Sequence, residues 1–245
     1  KKDTIGKLMT SKSLFSKILE LDKTLIIKYN GAGGRFFTIF LKIISFLGRE
    51  TIWLIFISFF IFIWYNPLLA AHFGAVFLFG LIIIVPIKEL VNRIRPYDEL
   101  IQVNNLEHKP TSSSFPSWHA YNITSQGLII GFLSGSPILI ILMLVIVLIV
   151  SFSRIQLGVH YPTDVLVGGI LGIIGFIFTI YFFAPLIVFL LNYFDNIFSN
   201  IIYINEINPL LFSNIGYFIF VIFIFSIILL LSFYKIFWIM IKNKK

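Results

Sequence analysis

The chain has 245 residues, of which 58% are hydrophobic and only 12% are charged, and its mean hydropathy is +0.97. A soluble domain usually carries about a quarter charged residues, so this composition excludes a water-soluble protein and indicates the lipid bilayer as the solvent. The net charge of +8 does not indicate nucleic acid binding, because the basic residues lie near the termini and beside polar motifs, without a stacking platform between them. Attraction to anionic lipid headgroups explains it. The absence of cysteine excludes disulfides, thiolate metal sites and cysteine nucleophiles.

Residues 1–50 are predicted to lie in the membrane interface. Within residues 12–30, apolar side chains recur at roughly helical spacing between lysines, which is typical of a basic amphipathic helix on a bilayer surface. A glycine-rich break at residues 30–34 separates this helix from a second apolar stretch, 36–47, which is short and is also interpreted as interfacial. No apolar core with a small-residue cleavage site follows the basic start, so no signal peptide is expected.

Six spanning helices are predicted next, because several apolar runs reach the roughly 20 residues that cross a hydrocarbon core. We place them at about 51–65, 70–93, 118–134, 136–155, 162–184 and 212–240. Residues 185–211 turn polar quickly, so a re-entrant or interfacial helix is expected there rather than a full crossing. The predicted fold class is therefore all-α, a polytopic transmembrane helical bundle with N-terminal interfacial amphipathic helices. It divides into an interfacial segment (1–50), a core of five spans (51–184) and an extension with one further span (185–245).

A first polar cluster ends the second predicted span. Charged residues at membrane depth are costly and rare, so each one needs a reason. Lys88 and Arg95 are seven residues apart, which would place them on one face of a helix. Pro96 is expected to end that helix. Arg93 is interpreted as a side chain that snorkels to the headgroups, and the same explanation would serve Lys88 or Arg95 taken alone.

A second cluster, Pro116-Ser117-Trp118-His119, opens the third predicted span. The free N–H groups and the positive dipole of a helix N-terminus form a natural anion site, to which Ser117 adds a hydroxyl. A single histidine at a helix start is more often a polar interface residue, so His119 proves little by itself.

A third cluster consists of Ser153-Arg154, His160 and Asp164. If a helix begins at residue 160, His160 and Asp164 form an i, i+4 pair on one face. A carboxylate held against one imidazole nitrogen raises the basicity of the other nitrogen and stabilises the cation that forms when it attacks. The alternative is that Asp164 merely caps the helix N-terminus.

Counting spans places all three clusters on the same side of the membrane. The connections predicted on the other side contain no Lys or Arg. Three cations, two histidines and a carboxylate at one end of a bundle describe an anion site with a nucleophile. Phosphate is the expected anion, because cationic side chains stabilise a transferring phosphoryl group.

These clusters resemble the three ordered motifs of the type 2 phosphatidic acid phosphatase superfamily, KxxxxxxRP, PSGH and SRxxxxxHxxxD. The resemblance covers about residues 51–184, and the stretch from Leu21 and Asp22 to Asn30 is also similar to the family. One departure is Trp118, which stands where the family usually has Gly. That position is thought to contribute mainly a backbone N–H, which Trp also has, so its large ring bears on substrate identity.

The resemblance implies a two-step hydrolysis without a metal or another cofactor. His160 would attack phosphorus to give a phosphohistidine, and Asp164 would orient it. His119 would protonate the leaving oxygen and later assist the attacking water. The phosphate oxygens would be bound by Lys88, Arg95, Ser117, Trp118 and Arg154.

The expected partners are the bilayer and a lipid phosphate, with no nucleic acid. Phosphatidate, phosphatidylglycerophosphate, undecaprenyl diphosphate and a lipid A phosphate all fit, and the residues do not rank them. A lipid phosphotransferase using the same site remains an alternative. An anion or lipid transporter, from another functional class, is expected to place its charges near mid-span, and here they cluster at span ends.

The expected location is the bacterial cytoplasmic membrane. Lysines near both termini share the predicted active-site side, and the positive-inside rule then favours the cytoplasm for that side. Many bacterial members of the family instead face the periplasm, using one more N-terminal span. A crossing by residues 185–211 would also move the C-terminus to the other side.

Overall fold

Apolar helices joined by short polar breaks make up nearly all of the part of the chain that the structure describes. The computed structural model describes residues 2–197 and 206–242. The helices are α1 (Lys2–Tyr29), α2 (Gly34–Ser45), α3 (Glu50–Phe62), α4 (Pro67–Val91), α5 (Pro96–Glu99), α6 (Trp118–Ser134), α7 (Pro137–Gln156), α8 (Pro162–Phe178), α9 (Ala184–Ile197), α10 (Leu210–Ser213) and α11 (Ile215–Lys242). A 3₁₀ turn (Phe46–Gly48), a π-helical turn (Thr179–Phe183) and two short strands, β1 (Trp64–Tyr65) and β2 (Glu206–Ile207), complete the described elements.

A helix occupies each of the six predicted spans. Four stretches are long and apolar enough to cross a membrane, namely Pro67–Glu99, Pro137–Gln156, Pro162–Leu190 and Ile215–Tyr234. The other two, α3 and α6, are shorter, at 13 and 17 residues. The chain is an integral membrane protein built as a helical bundle, which confirms the predicted fold class.

Helices α1 and α2 form a bent pair with an angle of 116° between them. On length alone the pair passes as one span, yet its contacts lie at one end of the bundle. Asn30 Nδ2, after α1, donates to the carbonyl of Asn104 (3.0 Å), and Gln156 Nε2, at the end of α7, donates to Thr38 Oγ1 of α2 (2.8 Å). Gly158 makes this packing possible: its φ is +78°, and a Cβ there would lie 2.4 Å from the carbonyl oxygen of Asn104.

The centre of the bundle is α6, which packs against α7 and α8 on one side and α4 on the other. Its buried polar side chains bond to the backbone of α4 at membrane depth. Tyr121 Oη donates to the carbonyl of Val76 (2.6 Å), and Gln126 Nε2 donates to the carbonyl of Phe73 (3.2 Å). Such bonds satisfy polar groups where water is absent and hold α4 and α6 in register.

The structure shows no break at residue 184, where the fifth predicted span was expected to end, while a re-entrant or interfacial course for residues 185–211 stays a prediction. Residues 184–197 continue α8 through the π-helical turn, so that Pro162–Leu190 forms one apolar stretch. Pro185 has no N–H and crowds the preceding turn, and the wider π-helical turn just before it accommodates both effects. Residues 198–205 of the predicted segment lie outside the described residues.

Two contacts fix the course of the C-terminal extension. Trp64 of β1 pairs with Ile207 of β2 in an antiparallel ribbon, so β2 lies beside the connection between α3 and α4. Ser232 of α11 lies 2.6 Å from Thr51 of α3, oxygen to oxygen. Because these contacts involve opposite ends of α3, α11 returns along the bundle towards the end where α3 begins.

Candidate active site

The first polar cluster is built differently from the sequence prediction. Helix α4 ends at Val91, because Asn92 adopts a left-handed conformation (φ 43°) and its N–H donates to the carbonyl of Lys88 (3.0 Å). Pro96 does not end that helix but begins the short α5. Arg95 therefore lies in an extended connection, and the argument that Lys88 and Arg95 share a helix face is wrong.

The returning loop brings the two cations together instead. Lys88 Nζ donates to the carbonyl of Ser113, and Arg95 Nε donates to the carbonyl of Ser112, each at 2.8 Å. Arg95 Nη1 also donates to the carbonyl of Val159 (2.8 Å). The other contacts of this guanidinium are longer, at 3.3–3.4 Å. Because these longer hydrogen bonds are weak, the same N–H groups can donate to a phosphate oxygen instead at little cost in free energy.

His160 lies in the connection between α7 and α8 and is almost fully buried. Its Nε2 is 3.4 Å from Arg95 Nη1, and its Nδ1 is 3.6 Å from Asp164 Oδ2. Burial lowers the pKa of His160 well below its usual range, and the positive charges of Arg95 and Lys88 lower it further. The imidazole is therefore neutral near pH 7, the form in which Nε2 carries a free electron pair.

Asp164 is fully buried and makes both of the contacts that the sequence presented as alternatives. It caps α8, since Oδ2 accepts from the backbone N–H of Tyr161 at 2.9 Å. The same oxygen faces His160 and accepts from Ser114 Oγ at 2.5 Å. The cap holds the carboxylate in place, and so helps to aim it at the imidazole.

Arg93 is not a snorkelling side chain, contrary to the sequence interpretation. Its Nη1 donates to Asp164 Oδ1 and its Nη2 to Asp22 Oδ2, both at 2.7 Å. Its guanidinium carbon lies 4.0 Å from the centre of the Tyr161 ring. Sequence reasoning missed Arg93 and Asp22 as site residues; the one available signal was the family-like stretch that contains Asp22.

Arg154, at the end of α7, is only 1% exposed. Its Nη1 lies 2.7 Å from Glu107 Oε2 and also donates to Ser45 Oγ, and Arg49 Nη2 lies 3.2 Å from the other Glu107 oxygen. Burial raises the pKa of Glu107, but the charges of Arg154 and Arg49 outweigh burial and lower it, so Glu107 is ionised. Glu107 was not predicted, because an acid in a long polar loop is usually solvated.

His119 lies in the first turn of α6, with a buried Nε2 that has no hydrogen-bond partner in the described part of the chain. The 3₁₀ turn approaches it closely at Gly48, where a Cβ would lie 2.9 Å from His119 Cβ. Ser117 is placed differently from the prediction. It caps α6, its N–H donates to the carbonyl of Asp164 (2.9 Å), and it does not line the cavity described below.

Trp118 packs between two aromatic side chains. Its ring stacks on Tyr121 at 5.6 Å between centroids and meets Phe77 edge-on at 5.7 Å. The ring thus forms part of the wall between α4 and α6.

Six of the eight predicted site residues line one cavity of about 690 Å³, and Ser117 and Asp164 are not among its lining residues. Its polar lining includes Lys88, Arg95, His119, Arg154 and His160, together with the carboxylates of Glu50 and Glu89. Its apolar wall is formed by Phe77, Leu81, Ile84, Val85 and Trp118. A pocket that combines three cations and two imidazoles with an apolar wall suits an anionic headgroup attached to a hydrocarbon chain.

Comparison with known proteins agrees with this geometry. Residues 68–187 match the PAP2 superfamily. That segment, just under half of the chain, is similar to this superfamily. The matched segment contains all eight predicted site residues, whereas Asp22, Ser45 and Arg49 lie ahead of it.

Two relatives match about a third of the chain each. A decaprenylphosphoryl-5-phosphoribose phosphatase of Mycobacterium tuberculosis is 46% identical over 90 residues, which cover 37% of this chain and 48% of the relative. An undecaprenyl-diphosphatase of Sulfolobus acidocaldarius is 38% identical over 85 residues, which cover 35% and 41%. The chain thus spans about half the length or less of these relatives.

Two solved PAP2 structures share the fold. LpxE of Aquifex aeolicus has a TM-score of 0.58 at 22% identity, and the match covers 67% of this chain and 94% of that one. A phosphatidylglycerolphosphate phosphatase of Bacillus subtilis has a TM-score of 0.53 at 24% identity, covering 76% and 90%.

Within residues 2–197 and 206–242, no three His, Asp or Glu side chains are grouped so that they could hold a metal ion. Independence of metal stays a prediction.

Proposed function

We propose that this PAP2 protein is a membrane lipid phosphatase that hydrolyses a phosphate monoester or diphosphate through a phosphohistidine. The observation that carries the proposal is the convergence of three cations and two histidines on one cavity with an apolar wall. The cations neutralise the phosphate, His160 supplies a neutral nucleophile, and the wall accommodates the start of the lipid chain.

In the first step, the electron pair of His160 Nε2 forms a bond to phosphorus as the bond to the lipid oxygen breaks. His119 gives that oxygen a proton, so the lipid leaves as a neutral alcohol or as a lipid monophosphate. The imidazole becomes cationic, and Asp164, 3.6 Å from its other nitrogen, stabilises that charge.

In the second step, water attacks the phosphohistidine and gives a proton to His119. The phosphorus–nitrogen bond breaks, its electron pair returns to His160, and inorganic phosphate is released. Lys88, Arg95 and Arg154 hold the phosphoryl oxygens throughout, where negative charge is redistributed in both transition states.

For the substrate class we propose a polyprenyl phosphate or diphosphate. The two relatives described above are named for decaprenyl-linked and undecaprenyl-linked phosphates. The apolar wall of α4 continues on the exposed, membrane-facing side with Leu78 and Ile82, a surface suited to a long hydrocarbon chain.

The test is phosphate release in detergent from undecaprenyl diphosphate, phosphatidate, phosphatidylglycerophosphate and lipid A, with chelator present. We expect release to be fastest from the polyprenyl substrate, together with an acid-labile, base-stable phosphoenzyme in rapidly quenched samples. Loss of activity on chelation, or activity retained by His160→Ala, would contradict the mechanism. Transfer of phosphate to an added lipid alcohol instead of water would indicate a phosphotransferase.

We call the end of the bundle that holds the cavity the site end, and the opposite end the far end. We propose that the site end faces the cytoplasm, because the lysine-rich α1 packs there and positive residues favour that side. The chain has no cysteine, so single introduced thiols report the side without interference. Lys109→Cys, at the site end, is expected to be shielded from a membrane-impermeant maleimide in intact cells. Ser134→Cys, at the far end, is expected to react. The reverse pattern would place the site outside.

A further inference from the structure

One guanidinium is shared by two buried carboxylates next to the nucleophile. Arg93 bonds to Asp164 through Nη1 and to Asp22 through Nη2, each at 2.7 Å. Asp22 is 1% exposed and Asp164 is fully buried. Asp22 belongs to α1, far ahead of the segment that matches the superfamily.

Asp22 also holds the first turn of α8. Its Oδ1 accepts from the backbone N–H of Thr163 at 2.9 Å, and its Oδ2 accepts from the hydroxyl of the same residue. Arg93 Nη1 donates to that hydroxyl as well, at 2.8 Å. Thr163 directly precedes Asp164, so the position of the carboxylate that faces His160 is tied to α1 as well as to its own helix.

The charges of this group do not cancel. Asp22 and Asp164 carry two negative charges and Arg93 one positive charge, which leaves the group one unit negative. The nearby Lys23–Glu99 pair, at 2.5 Å, is neutral as a unit. A buried net charge is costly unless an opposite charge forms beside it. Lys88 and Arg95 already supply positive charge on the cavity side of His160, and a further positive charge forms on the imidazole during nucleophilic attack.

We propose that Asp22 and Arg93 are positioning residues of the phosphatase, which keep one net negative charge on the Asp164 side of His160 and hold that carboxylate in place. The inference rests on the proposed function. Asp22 prevents Arg93 from neutralising Asp164 completely, and Arg93 prevents the two carboxylates from repelling each other. Phosphate binding itself depends on other side chains.

The test compares Asp22→Asn with Glu20→Gln, which removes the same charge from an exposed position on the same helix. For Asp22→Asn we expect kcat to fall about tenfold, since one charge close to the imidazolium is lost. The inhibition constant for inorganic phosphate should stay unchanged, because the cations are intact. Glu20→Gln should match the wild type in both. A kcat of Asp22→Asn equal to that of the wild type would overturn the proposal.

A double-mutant cycle separates positioning from a general loss of structure. If Asp22 acts through Asp164, then Asp22→Asn should change the residual rate of Asp164→Asn less than twofold. An equal tenfold loss in both backgrounds would mean that Asp22 acts elsewhere. Arg93→Lys is the second variant: it keeps the charge but cannot bridge two carboxylates, so kcat should fall with phosphate inhibition unchanged. An inactive wild type, or an active His160→Ala, counts against the proposed function instead.

Discussion

The two ends of the bundle differ in how their helices are connected. At the site end the helices are joined by irregular segments, residues 92–117 and 157–161, whose backbone carbonyls and charged side chains bond to one another. At the far end the helices are connected by the turn before α7 and by segments that contain the two-residue strands β1 and β2. These connections, residues 62–67, 134–137 and 206–214, contain no Lys or Arg.

This difference supports placing the proposed function at the site end. The membrane-spanning helices require only apolar length, and short turns suffice to reverse the chain. Irregular backbone and buried charge are costly at or near membrane depth, so their concentration at one end marks the place where they are used. Substitutions at the site end should change activity, and those at the far end should change stability alone.

The largest expected loss of activity distinguishes His160 from His72, a second buried histidine. His160→Ala should lower kcat by at least about 10⁴-fold, because it removes the imidazole that forms the proposed covalent intermediate. His72→Asn, on α4 towards the far end, should retain near wild-type kcat, since in the described part of the chain the His72 ring bonds to the carbonyl of Leu68 within its own helix, at 2.7 Å. Phosphate release measured on both variants checks this. Equal losses would contradict the distinction between the ends.

Arg95→Lys should lower kcat/KM by about 10²-fold. The planar fork of Arg95 bonds to carbonyls of Ser112 and Val159 while facing His160, and an ammonium cannot bind in all of these directions. Steady-state kinetics checks the loss, with the exposed Lys109→Arg as a matched control. A variant with wild-type kinetics would show that charge alone is sufficient at this position.

Trp118→Gly, which restores the residue usual in the superfamily, should affect the lipid chain rather than the chemistry. Removing the ring opens the wall between Phe77 and Tyr121, and KM for a long-chain lipid phosphate should rise about tenfold. KM for a short-chain phosphate should change less than twofold, and Trp118→Phe should lie in between. Equal changes for long and short chains would argue against a role in chain binding.

The free energy of unfolding should fall as the pH drops through the pKa range of an ordinary histidine. The pKa of His160 is lowered in the folded protein, so below about pH 6.5 the unfolded chain binds a proton that the folded site rejects. The free energy of unfolding then decreases by at most about 1.4 kcal/mol per pH unit from this residue. Thermal unfolding between pH 7 and 5 should show a shallower decline for His160→Asn. An identical decline would exclude His160 as its source.

The smallest effect is expected at the far end. Tyr217 Oη donates to the carbonyl of Phe62 (3.0 Å) and accepts from Asn208 Nδ2 (2.9 Å), which ties α11 to the end of α3. Tyr217→Phe should cost about 1 kcal/mol of stability and leave kcat unchanged. Unfolding in denaturant measures the first and phosphate release the second. A loss of activity would show that the far end influences the site.

The sequence predicted the helices well because apolar length and the turn residues between helices are local signals. It was wrong at the end of α4, where the left-handed Asn92 ended the helix before Arg95. The π-helical turn before Pro185, which lets the helix continue past residue 184, has no signal in the sequence pattern.

Six residues that line the cavity were predicted because their motifs are compact and counting the spans puts them on one side of the membrane. Arg93, Asp22 and Glu107 were not, because their partners are far away in sequence. Nothing local distinguishes a buried aspartate in α1 from a solvated one on a basic amphipathic helix. Only the fold brings Asp22 to Thr163, 141 residues later in the chain.

That separation has a consequence for biosynthesis. During translation α1 is made before α4, and Arg93, which pairs with Asp22, follows 71 residues later. Thr163 and Asp164 emerge only with the fifth predicted span. The Asp22–Arg93 pair therefore lacks its remaining partners until α8 docks. An interrupted chain that ends before α8 would have membrane helices but would lack the proposed catalytic centre.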